Sequence, residues 1–362
     1  MKRRLLPWLT MALSATALVA VSVAPARTSE AAGPSATPAK ATAPAGGAFK
    51  VALVTDIGGL NDRSFNFLAN KGRLRVQNEL GVQTRVFITT TAADRIPNLR
   101  TAAQQGYDLV IGVGFLMAEP LSVVAKAFPN TKFAGVDVAW ETVKGGPKNV
   151  RGLLFKEQEA GYLAGYLAGL QVVRKPAQGE YVVGAVGAIK IPPIVRYLAG
   201  YYAGARKADP RIKVLINYAQ DSTFSDQAKC KEQALNQIAN NAGVVFQVAG
   251  QCGLGVLSAA KEKGVFGIGV DADQGYIGPH VLTSAIKKVD VAVFLTAQAA
   301  KAQGSRFRGG YNATFSIKNS GVGYGRVTTR VPKSDVAKVE AIRKQIVSGK
   351  IRVPANLPAG VG

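Results

Sequence analysis

The residues that could do chemistry cluster just after short apolar runs. The stretch "DIGGLNDRSFNF", Asp56 to Phe67, looks at first like a glycine-rich phosphate loop. A P-loop needs a lysine and a hydroxyl residue to close it, so that a cation meets the β/γ oxygens and the hydroxyl reaches magnesium. Here the glycines are followed by Asn61, Asp62, Arg63, Ser64, Phe65 and Asn66, which offer carboxylate, amide and aromatic faces instead. Such a set suits a neutral ligand with hydroxyls and a flat ring. The same rule, applied to later runs, collects Gly114, Phe115 and Met117, then Asp137, Tyr197, Gly250, Gly253, Asp271, Asp273 and Lys287.

The set holds no general-base histidine. The single His280 sits in a loop and reads as a surface residue, and no metal-ligand spacing or Ser-His-Asp or Cys-His arrangement is present. Hydrolysis would need a metal-bound or base-activated water, so a hydrolytic enzyme is disfavoured, and no catalytic residue, metal or cofactor is expected. Each residue taken singly has a plainer reading. Phe65 could be a hydrophobic staple, Asp56, Asp62 and Asp271 could cap helices, and Lys287 could be a solvated strand-end charge.

The elements that must position these residues alternate. From Phe49, "KVALVTD", "TRVFITT", "YDLVIGVG", "KFAGVDV" and "NVRGLLF" read as strands separated by amphipathic helices. A small-residue helix follows, "EQEAGYLAGYLAGLQV", whose Ala and Gly spacing allows tight approach to a neighbour. After Lys175-Pro176 the alternation resumes with "EYVVGAVGAI", "KVLINYA", "VVFQVAG" and "VFGIGVD". Runs apolar on both faces belong to parallel sheets covered by helices, and two successive units predict two doubly wound α/β lobes. The expected division is 49–155 plus about 284–318 for the first lobe, and 156–283 plus about 319–353 for the second. In such sheets ligands bind beyond the carboxyl ends of the strands, which makes the residues just after each strand the candidates for a site.

The ends and composition add context. Lys2, Arg3 and Arg4 precede an apolar stretch that closes on Ala24-Pro25-Ala26, the pattern of a cleaved signal peptide over 1–26. Residues 27–48 are Ala, Pro, Ser, Thr and Gly with little to bury and read as a disordered leader. No cysteine lies near this segment to carry a lipid anchor, so an exported protein that does not span a membrane is expected, in the periplasm or cell envelope. The formal charge of +23 is spread in short pairs such as Arg206-Lys207 and Lys287-Lys288 without aromatic-interleaved basic runs. That pattern argues for a solvated surface facing an anionic envelope rather than for a nucleic-acid partner. In an exported chain, Cys230 and Cys252 suggest one disulfide, which would contribute roughly 3 kcal/mol in the chain-entropy model.

Taken together, "VTDIGGLNDRSFN", "GVGF", "FAGVD", "IVRYLAGYYAGA", "VAGQCGLGV", "GVDADQ" and "LTSAIKKVD" resemble, in order and spacing, the basic membrane protein family of ABC-transporter substrate-binding proteins, over essentially all of 49–330. The resemblance implies the type I periplasmic-binding fold, with two lobes joined by a hinge and a purine nucleoside held in the cleft. It also implies a monomer that serves an ABC permease and its ATPase. On that resemblance Phe65 is one aromatic wall and Tyr197 the other, and Asn66 bonds the base edge. Asp56 and the loop of Gly114, Phe115 and Met117 line the base side. Asp271 and Lys287 hold the ribose hydroxyls, and Gly253 lets its backbone come close. The chain departs from the family pattern at Gly187 to Pro193, "GAIKIPP", which places Lys190 near the mouth. A receptor for a sugar or other small polar ligand, and a ligand sensor without transport, are the alternatives.

Overall fold

The computed structural model describes residues 48–362. The expected signal peptide (1–26) and nearly all of the expected leader (27–48) lie outside the described residues.

A first α/β run comprises β1 (Lys50–Val54), α1 (Phe65–Leu80), β2 (Gln83–Phe87), α2 (Arg95–Gln104), β3 (Leu109–Val113), α3 (Ala118–Ala127), β4 (Lys132–Val136) and β5 (Val150–Phe155). A second comprises α4 (Glu157–Arg174), β6 (Val182–Gly187), α5 (Pro192–Ala208), β7 (Lys213–Tyr218), α6 (Gln227–Ala239), β8 (Ala242–Val248), α7 (Leu254–Glu262), β9 (Phe266–Asp271) and β10 (Val281–Lys287). The chain ends with α8 (Val289–Gln303), β11 (Tyr311–Phe315), β12 (Val322–Tyr324) and α9 (Lys333–Val347).

The strands form two six-stranded sheets, ordered β11-β5-β4-β3-β1-β2 and β12-β10-β9-β8-β6-β7. The first is parallel throughout, and the second is parallel except for the antiparallel edge pair β10 and β12. Strands such as β3, buried along its whole length, are apolar on both faces because helices cover both. The strand order reverses between β1 and β3 in one sheet and between β6 and β8 in the other, so each lobe opens a crevice beyond those strand ends.

The chain passes between the sheets three times: between β5 and α4, between β10 and α8, and between β11 and β12. The second passage was expected at about 284. Strand β10 instead pairs with β9 from Val281↔Gly267 to Ile286↔Asp271, so it stays in the second sheet and the chain leaves at Lys288. Its apolar run gives no hint of where the chain changes lobe.

The small-residue helix does what its composition suggests. Gly161 and Gly165 of α4 lie against the carbonyl oxygens of Tyr197 and Tyr201, and Gly200 and Gly204 of α5 lie against those of Gln158 and Tyr162. A Cβ at any of the four would fall inside the van der Waals shell of main-chain oxygen, which cannot swing aside as a side chain would. Gly165→Ala is therefore expected to cost about 1–3 kcal/mol of stability through overpacking. Chemical denaturation measures this, and an unchanged midpoint would mean that the two helices are not this close.

Candidate functional site

Helix α1 begins at the cleft, and its start is built by Asp62. The Asp62 carboxylate accepts from the backbone N–H of Ser64 (3.0 Å), Asn66 (2.7 Å) and Phe67 (3.0 Å), which otherwise lack partners. Burial holds its pKa above the ordinary value despite these bonds. Because Asp62 caps the helix, Ser64 is free to use its hydroxyl elsewhere. It donates across the crevice to Asp271 Oδ2 of the second lobe at 2.6 Å. A second bridge runs from Gln274 Nε2 to the Arg63 carbonyl at 3.3 Å.

One cleft is lined by residues of both lobes, among them Asp56, Phe65, Asn66, Gly114, Phe115, Tyr197, Asp271 and Lys287 of the expected set. Their roles differ from the expected ones in several cases. Asp56 Oδ1 is bound by the buried Arg95 guanidinium, Nη2 at 2.7 Å and Nε at 3.0 Å, while Oδ2 takes no protein hydrogen bond. Gly114, at φ +109°, must be glycine, since a Cβ there would stand 2.6 Å from Asp56 Oδ2. Asn66 does not present a free edge. Its amide accepts from Asp56 N–H (3.2 Å) and donates to the carbonyls of Asp56 (3.3 Å) and Ile57 (3.1 Å), so it fastens the loop that faces the cleft.

Three expected residues are displaced from their assigned places. Met117 is fully buried, because the 3-10 turn Phe115–Met117 aims its third side chain inward over Gly112. Gly253 caps α7 and faces the Gln247 side chain; Gly250, at φ +58°, is the cleft glycine. Tyr197 is only 2% exposed, with its ring packed edge-on against Phe246 at 6.1 Å. It lines the cleft, and its hydroxyl donates to Asp271 Oδ1 at 3.2 Å. The half-buried ring from the second lobe is that of Phe224, in the loop between β7 and α6. The strand-end rule, applied to "KVLINYA", would have found it six residues beyond Tyr218. His280 does lie in a loop, but it is buried rather than on the surface. Lys190 turns outward to the Gly362 carbonyl (3.1 Å), leaving Ile191, Pro193 and Ile194 on the cleft wall.

Beneath the cleft lies a charge cluster where the lobes meet. Lys287, 2% exposed at the end of β10, donates to Asp137 Oδ2 at 2.6 Å and Glu157 Oε1 at 2.9 Å. Asp271, which the resemblance sets beside Lys287 on the ribose hydroxyls, takes Ser64 and Tyr197 as its hydrogen-bond partners. Asp137 ends β4 of the first lobe, and its Oδ1 is buried with no partner. Glu157 opens α4 just after the first passage between sheets. Its Oε2 also lacks a hydrogen bond, with Arg196 Nη1 at 3.7 Å. Three carboxylates thus crowd one ammonium. Burial pushes Glu157 up to about 7 against the pull of Lys287, and Asp271 up to about 6, while the carboxylates hold Lys287 above its ordinary value although burial opposes them. Sequence reasoning missed Glu157, which reads as one more polar residue at a helix start.

The sign of the resulting pH dependence follows by linkage. An acid whose folded pKa is raised binds its proton more tightly in the folded chain. The stability it contributes is present below the ordinary 4.5 of Glu157 and is lost as pH rises through about 7. Between those values the folded chain should gain stability as pH falls, and Glu157→Gln should flatten that part of the profile. Urea titrations across this range measure it; a variant with the wild-type slope would place the proton elsewhere.

Among the described residues no group of three His, Cys, Asp or Glu side chains is arranged to hold a metal ion, and no helix is long and apolar enough to cross a membrane. The cleft offers three phenylalanine rings, Phe65 and Phe115 from the first lobe and Phe224 from the second, aliphatic walls from Ile57, Ile191, Ile194 and Val248, and two carboxylate oxygens without a protein donor, Asp56 Oδ2 and Asp137 Oδ1. Chemically, that receives a flat, neutral, hydrogen-bond-donating molecule.

Comparison with known proteins places this architecture. Residues 49–357 match the model of the Bmp family, described as ABC transporter substrate-binding protein PnrA-like. The chain belongs to this family. Its members are substrate-binding proteins rather than enzymes, exported proteins that serve a permease with a small-molecule ligand. Among relatives, the ABC transporter nucleoside-binding protein BmpA of Lactococcus lactis subsp. cremoris is 36% identical, over 85% of this chain and 89% of that one. A Pyrococcus furiosus relative named as an uncharacterized lipoprotein is 33% identical over 76% of this chain and 69% of its own length, so lipid anchoring occurs among similar proteins. In structure, the chain resembles an ABC transporter solute-binding protein from Aeropyrum pernix K1, with TM-score 0.75 and 28% identity over 84% of this chain and 94% of that one. A solute-binding protein from Conexibacter woesei gives TM-score 0.66 at 27% identity, over 86% and 100%. The type I binding-protein fold expected from the sequence is thus the fold of this family.

Proposed function

We propose that the interlobe cleft binds a nucleoside, and a purine nucleoside by preference, for delivery to an ABC permease. The observation that carries this reading is the pairing of Phe65 from the first lobe with Phe224 from the second on one cleft that also presents unpartnered carboxylate oxygens. The name of the Lactococcus lactis relative supports it. The base lies between the two rings, where stacking contributes roughly 1–3 kcal/mol per base. A purine covers more of each ring than a pyrimidine does. Asp56 Oδ2 accepts a hydrogen bond from the base edge, as N1–H of inosine or guanosine would give.

The ribose diol goes to Asp137 Oδ1, which is otherwise left without a donor at a cost of about 1–3 kcal/mol. Two N–H groups of Lys287 are engaged by Asp137 and Glu157, and the third donates to a hydroxyl oxygen of the same diol. Asp271, with both oxygens engaged by Ser64 and Tyr197, serves the approach of the lobes rather than the sugar. Ligand contacts made to both lobes shift the hinge equilibrium toward closure.

Calorimetric titration of ligand-stripped protein with adenosine, guanosine, inosine and free ribose tests the proposal. Binding of the nucleosides with micromolar or tighter affinity and much weaker binding of ribose is expected. Heat with ribose alone would transfer the site to sugars, and no heat with any nucleoside would remove the reading.

A further inference from the structure

The cystine has no part in the site as described, yet it joins the two loops that form the second lobe's side of it. Cys230 lies in the first turn of α6 and Cys252 in the turn after β8; they are 22 residues apart, disulfide-bonded and fully buried. The loop before α6 carries Phe224, and the turn after β8 carries Ala249, Gly250 and Gln251, all of which line the cleft. The two loops touch directly. Cys252 N–H donates to the Phe224 carbonyl at 2.9 Å, and a Cβ on Gly250 would lie 3.4 Å from Phe224 Cβ.

Phe224 is an unusual place for a large side chain. Its φ of +57° is a left-handed conformation that a non-glycine residue holds only when its surroundings impose it. Within its own loop, Asp221 organises the turn by accepting from Thr223 N–H (3.0 Å), Ser225 N–H (2.8 Å) and Asp226 N–H (2.8 Å), and Asp226 in turn caps α6. Those bonds shape the turn but do not fix it against the neighbouring strand end. The Cys252–Phe224 main-chain bond does so at one point, and the covalent link from Cys230 to Cys252 makes the attachment permanent.

We propose that the Cys230–Cys252 disulfide is a positioning element for the second aromatic wall. By clamping the β7–α6 loop to the turn after β8, it holds the Phe224 ring at the cleft and thereby tightens binding of ligands with a flat face. The ligand class rests on the nucleoside reading, whereas the clamp itself is a statement about the loops.

Two variants test it, Cys230→Ala/Cys252→Ala and the better-filled Cys230→Ala/Cys252→Val. Hydrogen exchange should quicken in residues 219–226 and 249–254 while the strands β6, β8 and β9 keep their protection. Adenosine affinity should fall about tenfold, corresponding to about 1.4 kcal/mol. Adding Phe224→Ala to the cysteine variants should then cost much less than Phe224→Ala costs in the intact protein, because the ring is already released. Fully additive losses would overturn the proposal, as would unchanged exchange in both loops. If neither cysteine variant folds, the bond supports the whole lobe and the local role is wrong. Should wild-type protein bind no nucleoside, the nucleoside reading fails while the exchange measurement still decides the clamp.

Discussion

Replacing Lys287 with methionine is expected to remove about 3–5 kcal/mol of unfolding free energy near neutral pH, the penalty for leaving buried charge without its partner. Methionine preserves most of the stem, which runs beside Phe65 and Phe155 with Nζ 5.1 and 4.8 Å from their ring centroids, so lost packing accounts for little of it. What is lost is, among the described residues, the one ammonium facing Asp137, Glu157 and Asp271, with the partly exposed Arg196 left at 3.7 Å from Glu157. Without it these carboxylates can stay buried only by taking up protons. The deficit should therefore shrink as pH falls toward 5, which a packing defect would not do. Denaturant titrations at neutral and acid pH measure both features. A variant as stable as wild type at neutral pH would show that Lys287 does not balance this cluster.

The second large effect concerns the ligand. Phe65→Ala and Phe224→Ala should each weaken nucleoside binding by about 1–3 kcal/mol, and the double variant by about 2–6 kcal/mol if the walls act independently. Free ribose has no base to stack, so its weak binding should hardly change. Tyr197→Phe, by contrast, should alter affinity far less than either alanine variant, since the tyrosine ring is packed away and only its hydroxyl reaches Asp271. Titrations of these variants, with Tyr197→Ala alongside them, against adenosine and ribose separate these outcomes. A Tyr197→Ala loss confined to base-bearing ligands, with Phe224→Ala silent, would restore the wall to Tyr197.

The two-lobe fold was legible because strands buried on both faces leave an unmistakable alternation of apolar runs and amphipathic helices. The strand-end rule then led to Asp56, Phe65, Asp271 and Lys287 with no further information. What the spacing could not convey is direction. Met117 follows the same strand as Gly114, but the intervening 3-10 turn sends it into the core. Gly250 and Gly253 sit three residues apart, and only the turn between them decides which one faces the cleft. Asp62 takes the capping duty that its type and position offered, while Asn66, one residue inside the helix, turns its amide to the main chain of Asp56 and Ile57 rather than to the base side. Glu157 gains its importance only from a chain passage that brings α4 beside β10 and β4, a contact between segments separated by 130 residues.

The three passages between sheets also govern how the molecule can be made. The first sheet lacks its edge strand β11, and α1 lacks the cover of α8, until the ribosome has supplied residues near 315; the second lacks β12 and α9 until later still. Neither half can be finished from an early portion of the polypeptide, so both are completed late from contacts distant in sequence, which slows folding. For an exported substrate-binding protein that delay has a use, because a chain that has not yet closed its sheets can still be threaded through a translocation channel.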